Sequence, residues 1–394
     1  MTARSLWLDR LGCRWPVARL KDHVSLINGF PFDSQLFSHS RGTRLVRIRD
    51  LADAGEATYV DAAVPAAAMI DSGDLIVGMD GDFSTATWDS GPAALNQRLC
   101  VLRSRPTLDQ RFLGYLLPIP LKAINDVTYF TTVKHLSSFE LLDERIPLPP
   151  LGTQMAIANF LDRETARIDS LLTAKRRMVE LIREYRESSA ADLVNRAKDL
   201  GSTVPLWTVI RPEETTGAPE LEVLSVYRDH GVIPKSSRSD NYNKTPADLS
   251  RYQVVWPGDV VVNKMKAWQG SIGVSKYHGI VSPDYLVCRL LRPIDPSFLH
   301  HVLRSPQLRV EYLSRSEGIR PAQWRLQWDQ MRLIELPVPD EDAQATVVAA
   351  HAEEVARSQK LISALVRQIE LLQERRQTVI TDAVTGNIHT PAAA

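Results

Sequence analysis

The chain repeats itself once, and that repeat restricts its fold more than any other feature. Ile146-Pro-Leu-Pro-Pro150, followed by Gln154, corresponds to Leu336-Pro-Val-Pro-Asp340, followed by Gln344, 190 residues later. The same offset pairs Glu180-Leu181 with Glu370-Leu371, Glu184 with Glu374, Arg186 with Arg376 and Asp192 with Asp382. Upstream the offset drifts: Gly73-Asp-Leu-Ile-Val77 matches Gly258-Asp-Val-Val-Val262 at 185, and Phe112-Leu113 matches Phe298-Leu299 at 186. A constant offset implies two segments of equal length, and a drifting one implies insertions and deletions. The period is far longer than the 20–50 residues of a solenoid, so the unit is a duplicated domain followed by a helix.

The helical part follows from composition. Residues 153–198 contain neither Pro nor Gly, while Pro149-Pro150 precede them and Gly201 follows. Apolar residues at Ile157, Leu161, Ile168, Leu171, Met178, Ile182 and Tyr185 keep spacings of three, four or seven, with Lys175 interrupting. That is an amphipathic helix carrying a coiled-coil stripe. The second helix opens on Asp340-Glu-Asp342, acids suited to a helix N-terminus, and carries Leu361, Leu365, Ile369, Leu372, Val379 and Val384 before Gly386. Each would be roughly 65 Å long at 1.5 Å per residue. A single exposed helix of that length needs a partner, and the repeat supplies one. The expected interface residues are Leu161, Ile168, Leu171 and Ile182 on one helix and Leu361, Leu365, Leu372 and Val379 on the other.

The remainder alternates short β-prone runs with Gly, Pro and Asp. Strands are expected at 45–48, 75–77, 99–102, 223–227, 260–263 and 285–291, and a helix at 108–123. The expected fold is therefore α+β. Two similar α+β domains, residues 1–150 and 201–339, are separated by two long antiparallel coiled-coil helices, residues 151–200 and 340–388, with pseudo-two-fold symmetry.

Enzymatic motifs are missing. There is no Gly-x4-Gly-Lys-[Ser/Thr] loop, no Gly-x-Ser-x-Gly elbow and no Cys or His pair at zinc spacing, and Gly78-Met-Asp-Gly81 lacks the spacing of a dinucleotide fingerprint. No metal site is expected. His300 and His301 are adjacent and diverge on a helix. Asp74, Asp80 and Asp82 could be imagined as a metal-dependent nuclease site, but a turn with exposed acids is the preferred reading. Cys13, Cys100 and Cys288 are too far apart for a disulfide framework and point to a reducing cytoplasm. No uninterrupted apolar run of about 18 residues exists, so no membrane span is expected.

Formal net charge is zero, which weighs against nucleic-acid binding. Local clusters weigh for it. Arg41, Arg44, Arg47 and Arg49 fall in a stretch free of acids, and five arginines lie between Arg304 and Arg325. Polar loops next to expected strands carry side chains suited to base edges, since Arg and Lys match guanine while Asn and Gln match adenine. In the second domain these are Asn263-Lys-Met-Lys-Ala-Trp-Gln269, offering Asn263, Lys264, Lys266 and Gln269, and the stretch holding Arg320, Gln323, Trp324 and Arg325. In the first domain they are Asn96 and Arg98, then Lys134 and His135, with Arg47 from the arginine cluster. Trp328 is read as core.

Ile146-Pro-Leu-Pro-Pro-Leu-Gly-Thr-Gln154, running into Ile157-Ala-Asn-Phe-Leu-Asp162, resembles the start of the first conserved helix of type I restriction–modification specificity subunits. Thr132-Val-Lys-His-Leu-Ser137 and Asn263-Lys-Met-Lys-Ala-Trp-Gln-Gly270 resemble that family's target-recognition segments. The second helix departs, with Asp340-Glu-Asp-Ala-Gln344 in place of the usual Pro-Leu-x-x-Gln opening. The resemblance implies a non-catalytic subunit that reads a split double-stranded DNA site, one domain per half. It implies partners: adenine methyltransferase subunits, two of them, and ATP-driven motor–nuclease subunits. S-adenosylmethionine, ATP and magnesium would belong to those partners, leaving this chain without a cofactor. The other function classes are a nuclease and a coiled-coil scaffold for protein partners.

If the helices act as a ruler, inserting four residues between Lys175 and Leu181 adds roughly 6 Å of rise and a net turn of about 40°, near the 34–36° of about one base pair. The insertion variant should methylate the same half-sites with a spacer longer by about one pair. Methylation mapping that returns the original spacer, with activity retained, would show that the helices do not set the distance.

Overall fold

The computed structural model describes residues 6–51, 56–127, 134–238, 245–319 and 324–388. The chain divides into two compact units, Met1–Lys175 with Arg367–Ala394, and Arg176–Val366. Each unit thus takes one α+β domain and a portion of both long helices, Leu151–Leu200 and Glu341–Thr385.

The duplication is visible in sheet order. In the first unit an antiparallel sheet runs Val24–Asn28, Leu99–Ser104, Leu75–Gly78, Thr85–Thr87. In the second it runs Ile210–Pro212, Tyr285–Leu290, Val260–Asn263, Ile272–Val274. A two-stranded ribbon leads to each long helix, Val17–Arg19 with Arg145–Pro147 and Gly201–Pro205 with Glu335–Pro339. The units differ in their remaining strands. The first adds a five-stranded sheet with one parallel pairing, between Thr43–Val46 and Ala93–Leu95. The second adds two strand pairs, Leu224–Tyr227 with Gly231–Pro234 and Gln253–Val255 with Gly279–Val281.

The repeated Gly-Asp has a backbone cause. Gly73 and Gly258 sit at φ +93 and +96, a region that costs an L side chain strain. A Cβ there would meet nothing within 4 Å, so conformation rather than crowding requires glycine. The aspartate that follows closes the turn, Asp74 Oδ2 accepting from Asp71 N at 2.9 Å and Asp259 Oδ2 from Trp256 N at 2.8 Å. Both are buried and face an arginine on the neighbouring strand. Arg103 pairs bidentately with Asp74 at 2.7 and 2.6 Å, and Arg289 approaches Asp259 at 3.5 Å.

Most expected strands appear within two residues of their places. The helix expected at 108–123 is two helices, Gln110–Leu116 and Pro118–Val127, because Pro118 cannot extend the first one. Trp328 is partly buried against the core of the second unit.

In the first unit the core takes Ile157, Ala158 and Leu161 from the first long helix and Ile380, Ala383 and Val384 from the second. In the second unit it takes Leu193, Val194 and Ala197 from the first and Val347 from the second. Outside these cores the helices meet one another. In the first unit Arg376 bonds Asp169 at 2.9 Å, and Lys175, which interrupts the apolar stripe, bonds Gln368 at 2.6 Å. Residue numbers rise on one helix as they fall on the other, so the pair is antiparallel there. In the second unit Arg186 reaches Gln359 at 3.4 Å.

The stripe needs a correction. Ile168 and Leu365 are buried, and Ile182 and Leu372 half-buried. Leu161 and Val379 belong to the core of the first domain. Leu171 and Leu361 are exposed, at 43% and 50%, as are Met178 and Tyr185. Their neighbours Leu172 and Ile362 are the buried residues. At 100° per residue, Leu172 lies about 40° from Ile168 around the helix while Leu171 lies about 60° away on the other side. Leu172 therefore continues the line through Val179, which is also buried. The expected acid turn also changes: Asp82 is exposed, but Asp74 and Asp80 are buried. Among the described residues, no helix is long and apolar enough to cross a membrane.

Leu172→Ala should destabilise the first unit by about 2–3 kcal/mol and Leu171→Ala by under about 1 kcal/mol, measured by denaturant unfolding. A second expectation concerns acid. Burial pushes His300 down to about 3 and His301 down to about 4; His300 accepts from Val274 N at 3.2 Å, and the His301 ring lies 4.7 Å from that of His351. The unfolded chain binds protons below about pH 6.5 while these folded rings stay neutral. Stability of the second unit is thus intact above pH 6.5 and falls as pH drops toward 4, by about 2 kcal/mol per histidine at pH 5. Calorimetry of wild type and His301→Gln should show the variant with the flatter pH dependence.

Candidate nucleic-acid interface

In both units the central strand of the four-stranded sheet runs out into a turn, and a later segment clamps that turn through its backbone. In the first unit Leu75–Gly78 leads to Met79–Phe83. Leu136 N donates to Met79 O at 2.7 Å, and Gly81 N donates to Lys134 O at 3.0 Å. In the second unit Val260–Asn263 leads into the turn, and Leu326 N donates to Lys264 O at 2.8 Å. Leu136 and Leu326 are 190 residues apart, and Met79 and Lys264 are 185 apart, the same offsets as in the sequence repeat. The clamp is therefore part of the duplicated unit.

The first clamp gathers three expected residues. Asp80, its side chain only 10% exposed, holds the Arg98 guanidinium on Oδ2 and His135 Nδ1 on Oδ1, the latter at 2.6 Å. Arg98 and His135 are themselves mostly exposed, at 59% and 67%. Burial alone would raise the Asp80 pKa, but the hydrogen bonds and charges of His135 and Arg98 outweigh it and hold it below the usual carboxylate range. Lys134 Nζ donates to the Asn125 backbone carbonyl at 2.6 Å and to its side-chain oxygen. The turn is shaped by Gly81 at φ +74 and by Phe83 at φ +53, the one non-glycine with positive φ among the described residues. Burial of the Phe83 ring offsets that backbone cost.

The second clamp is built without an acid at the corresponding place. Asn263 Oδ1 accepts from Met265 N at 3.1 Å and caps the turn. Trp268 Nε1 donates to Met265 O at 3.0 Å, and the Trp268 ring meets Trp324 edge-on at 5.7 Å. Lys264 Nζ lies 3.4 Å from Pro283 O, while Lys266, Gln269 and Arg325 are exposed. Arg320 and Gln323 lie outside the described residues, as do Thr132 and Val133.

Arg47 and Asn96 belong to a separate group. Asn96 N donates to Val46 O at 3.0 Å. Arg47 donates to Thr58 Oγ1 and lies over the Phe37 ring at 5.9 Å. Arg44 and Arg49 flank Asp50 at 3.9 and 3.8 Å. Burial raises the Asp50 pKa, and the two arginine charges offset that only in part. Three of the four clustered arginines thus contact groups of their own domain, although Arg49, like Arg41, is exposed. In the other cluster Arg304 donates to Tyr227 O at 3.3 Å, Ile272 O at 3.1 Å and the Arg228 carbonyl, and Arg315 pairs with Glu311 at 3.1 Å. Those two are structural.

This geometry bears on a nuclease site. Both oxygens of Asp80 are occupied, Asp74 is held by Arg103, and Asp82 is exposed. Among the described residues no group of three His, Cys, Asp or Glu could hold a metal ion. Sequence reasoning missed Asp80 and Asn125 as organisers, because their partners lie 18, 55 and 9 residues away with no pattern linking them.

Comparison with known proteins follows the same division. Residues 14–180 match the family described as the Type I restriction modification DNA specificity domain. The Type I restriction enzyme EcoBI specificity subunit of Escherichia coli is 26% identical over 421 residues, covering 95% of this chain and 86% of that protein. Two solved structures share the fold. One, described under complex assembly and conformational transition of the type I R-M system, has a TM-score of 0.65 at 16% identity, covering 95% of this chain and 98% of that chain. The other, the HsdS subunit from Thermoanaerobacter tengcongensis, has a TM-score of 0.52 at 16% identity, covering 95% and 97%. The region similar to that DNA specificity domain thus lies at residues 14–180, and the same sheet order and clamp recur in the second half of the chain.

Proposed function

We propose that this chain binds a bipartite DNA site, one clamped turn reading each half, and recruits adenine methyltransferase and motor–nuclease subunits to it. The observation that carries the reading is the duplicated clamp: the same backbone hydrogen bond in each unit, Leu136 to Met79 and Leu326 to Lys264, fixes a turn beside exposed polar side chains, Arg98 and His135 in the first unit and Lys266, Gln269 and Arg325 in the second. Side chains read bases only when their backbone is held, because a mobile donor loses at binding what it gains in contact. Strand ends joined to a second segment supply that hold.

Chemistry on the DNA would come from the partners, which bring S-adenosylmethionine, ATP and magnesium. Exposed leucines recur at equal places on the two long helices, Leu171 and Leu181 on one and Leu361 and Leu371 on the other. These are surfaces on which methyltransferase subunits could dock, two copies matching the duplication. The site of action would be the cytoplasm, where DNA and those cofactors meet.

The test is methylation mapping in cells carrying this chain with a cognate methyltransferase. A split motif supports the reading, and a complex that modifies no defined motif overturns it. Within that motif, Lys264→Ala and Arg325→Ala should relax or weaken one half, and Lys134→Ala the other. A lost base contact should cost roughly 1–3 kcal/mol, and a lost phosphate contact should act across all sequences. Unchanged affinity and motif in all three variants would remove these turns from the interface.

A further inference from the structure

We infer that Asp80 is the positioning residue that gives the first unit its selectivity, holding Arg98 and His135 in fixed poses beside a turn that faces DNA. The inference rests on the DNA-reading assignment above. Asp80 is nearly buried, while the two side chains it grips are mostly exposed. It therefore touches no DNA itself and acts through them.

Its chemistry constrains what each partner offers. An ionised carboxylate only accepts hydrogen bonds, so Nδ1 of His135 carries the proton in this contact. The outer nitrogen, Nε2, is then an acceptor when the ring is neutral, suited to the exocyclic amines of adenine and cytosine. Asp80 takes one Nη of Arg98. The remaining guanidinium donors stay free for guanine O6 and N7. One buried acid thus sets a tautomer and orients a fork.

Asp80 also alters the balance between affinity and selectivity. Its negative charge offsets that of Arg98, so the pair attracts phosphate less than a free arginine would. The second unit provides an internal contrast. Met265 stands at the offset of 185 from Asp80, next to Lys264, whose carbonyl receives the clamp bond. There the cations keep their full charge. The first unit is built to discriminate, and the second contributes more of the general attraction.

The experiment uses the full-length chain assembled with its methyltransferase subunits. Dissociation constants are measured at fixed salt on a duplex carrying the mapped motif and on a scrambled duplex of equal length. Asp80→Asn should lower the ratio of the two affinities roughly tenfold, leave the scrambled-duplex affinity unchanged or higher, and relax methylation in one half of the motif only. In an Arg98→Ala, His135→Ala background, Asp80→Asn should cause no further loss of discrimination. A parallel fall in both affinities, an unaltered ratio, or a full additional loss in that background would overturn the inference. Arg98→Ala keeps the Asp80–His135 pair, and must lower the ratio by itself. A wild-type ratio in that variant overturns the inference even where Asp80→Asn fails to fold. A wild-type complex with no motif at all would instead overturn the underlying assignment.

Discussion

In each unit one buried glutamine ties a long helix to its domain, and the rest of the architecture depends on that tie. Gln154 Nε2 donates to Pro149 O at 2.8 Å and Thr107 O at 3.1 Å, while its Oε1 accepts from Asp109 N at 2.8 Å. Gln344 repeats this with Pro339 O at 2.8 Å and Asp295 N at 2.9 Å. Asp109 and Asp295 are the N-caps of the helices beginning at Gln110 and Pro296. A single amide side chain therefore links the ribbon before the long helix, the first turn of that helix and the start of a domain helix. An unsatisfied buried amide costs more than a made bond gains, so the three elements move together or the amide is stranded. This is why the glutamine survives the change from Pro-Leu-Gly-Thr to Asp-Glu-Asp-Ala before it: helix-opening residues can vary while the tie cannot.

Much of this was legible because the repeat acts as a second witness. A Pro-x-Pro or a Gly-Asp alone is weak, but in the same order twice it marks one structural unit. The helices were legible because a long stretch without Pro or Gly leaves few other folds. Their facing residues were not. Lys175 and Arg186 sit on the inner face and bond across it, so the line of apolar residues breaks where the pairing is polar. An apolar pattern then slides by one position, to Leu171 and Leu361 instead of Leu172 and Ile362. Hydrophobicity identifies a face only when the partner is also apolar.

The site was legible at the level of loops and hidden at the level of bonds. Polar, aromatic-flanked segments after strands pointed to 96–98, 134–135, 263–269 and 325, and the structure joins 98 with 134–135 and 264 with 326. Periodicity reports on neighbours three or four residues apart; it is silent on Asp80 meeting His135. Arginine clusters were ambiguous for a related reason. Arg44, Arg47 and Arg49 turn toward Asp50, Thr58 and Phe37, and sequence density cannot separate such a network from a surface patch.

The zero net charge resolves at the same level. Asp74, Asp259, Asp50 and Asp80 are each placed beside an arginine of their own domain. Those acids cancel positive charge in the total while leaving Lys266 and Arg325 uncovered at the surface. A chain can therefore be neutral overall and still present cations where DNA would approach, since phosphate responds to the local field within about a Debye length, roughly 8–10 Å at ordinary salt. Neutrality has a functional consequence as well. A strongly basic chain would bind any duplex, and discrimination would be lost beneath general attraction. Turning Asp74, Asp259, Asp50 and Asp80 toward arginines of their own domains leaves the total neutral, so that under the proposed reading base contacts held by the clamps would decide where the protein stays.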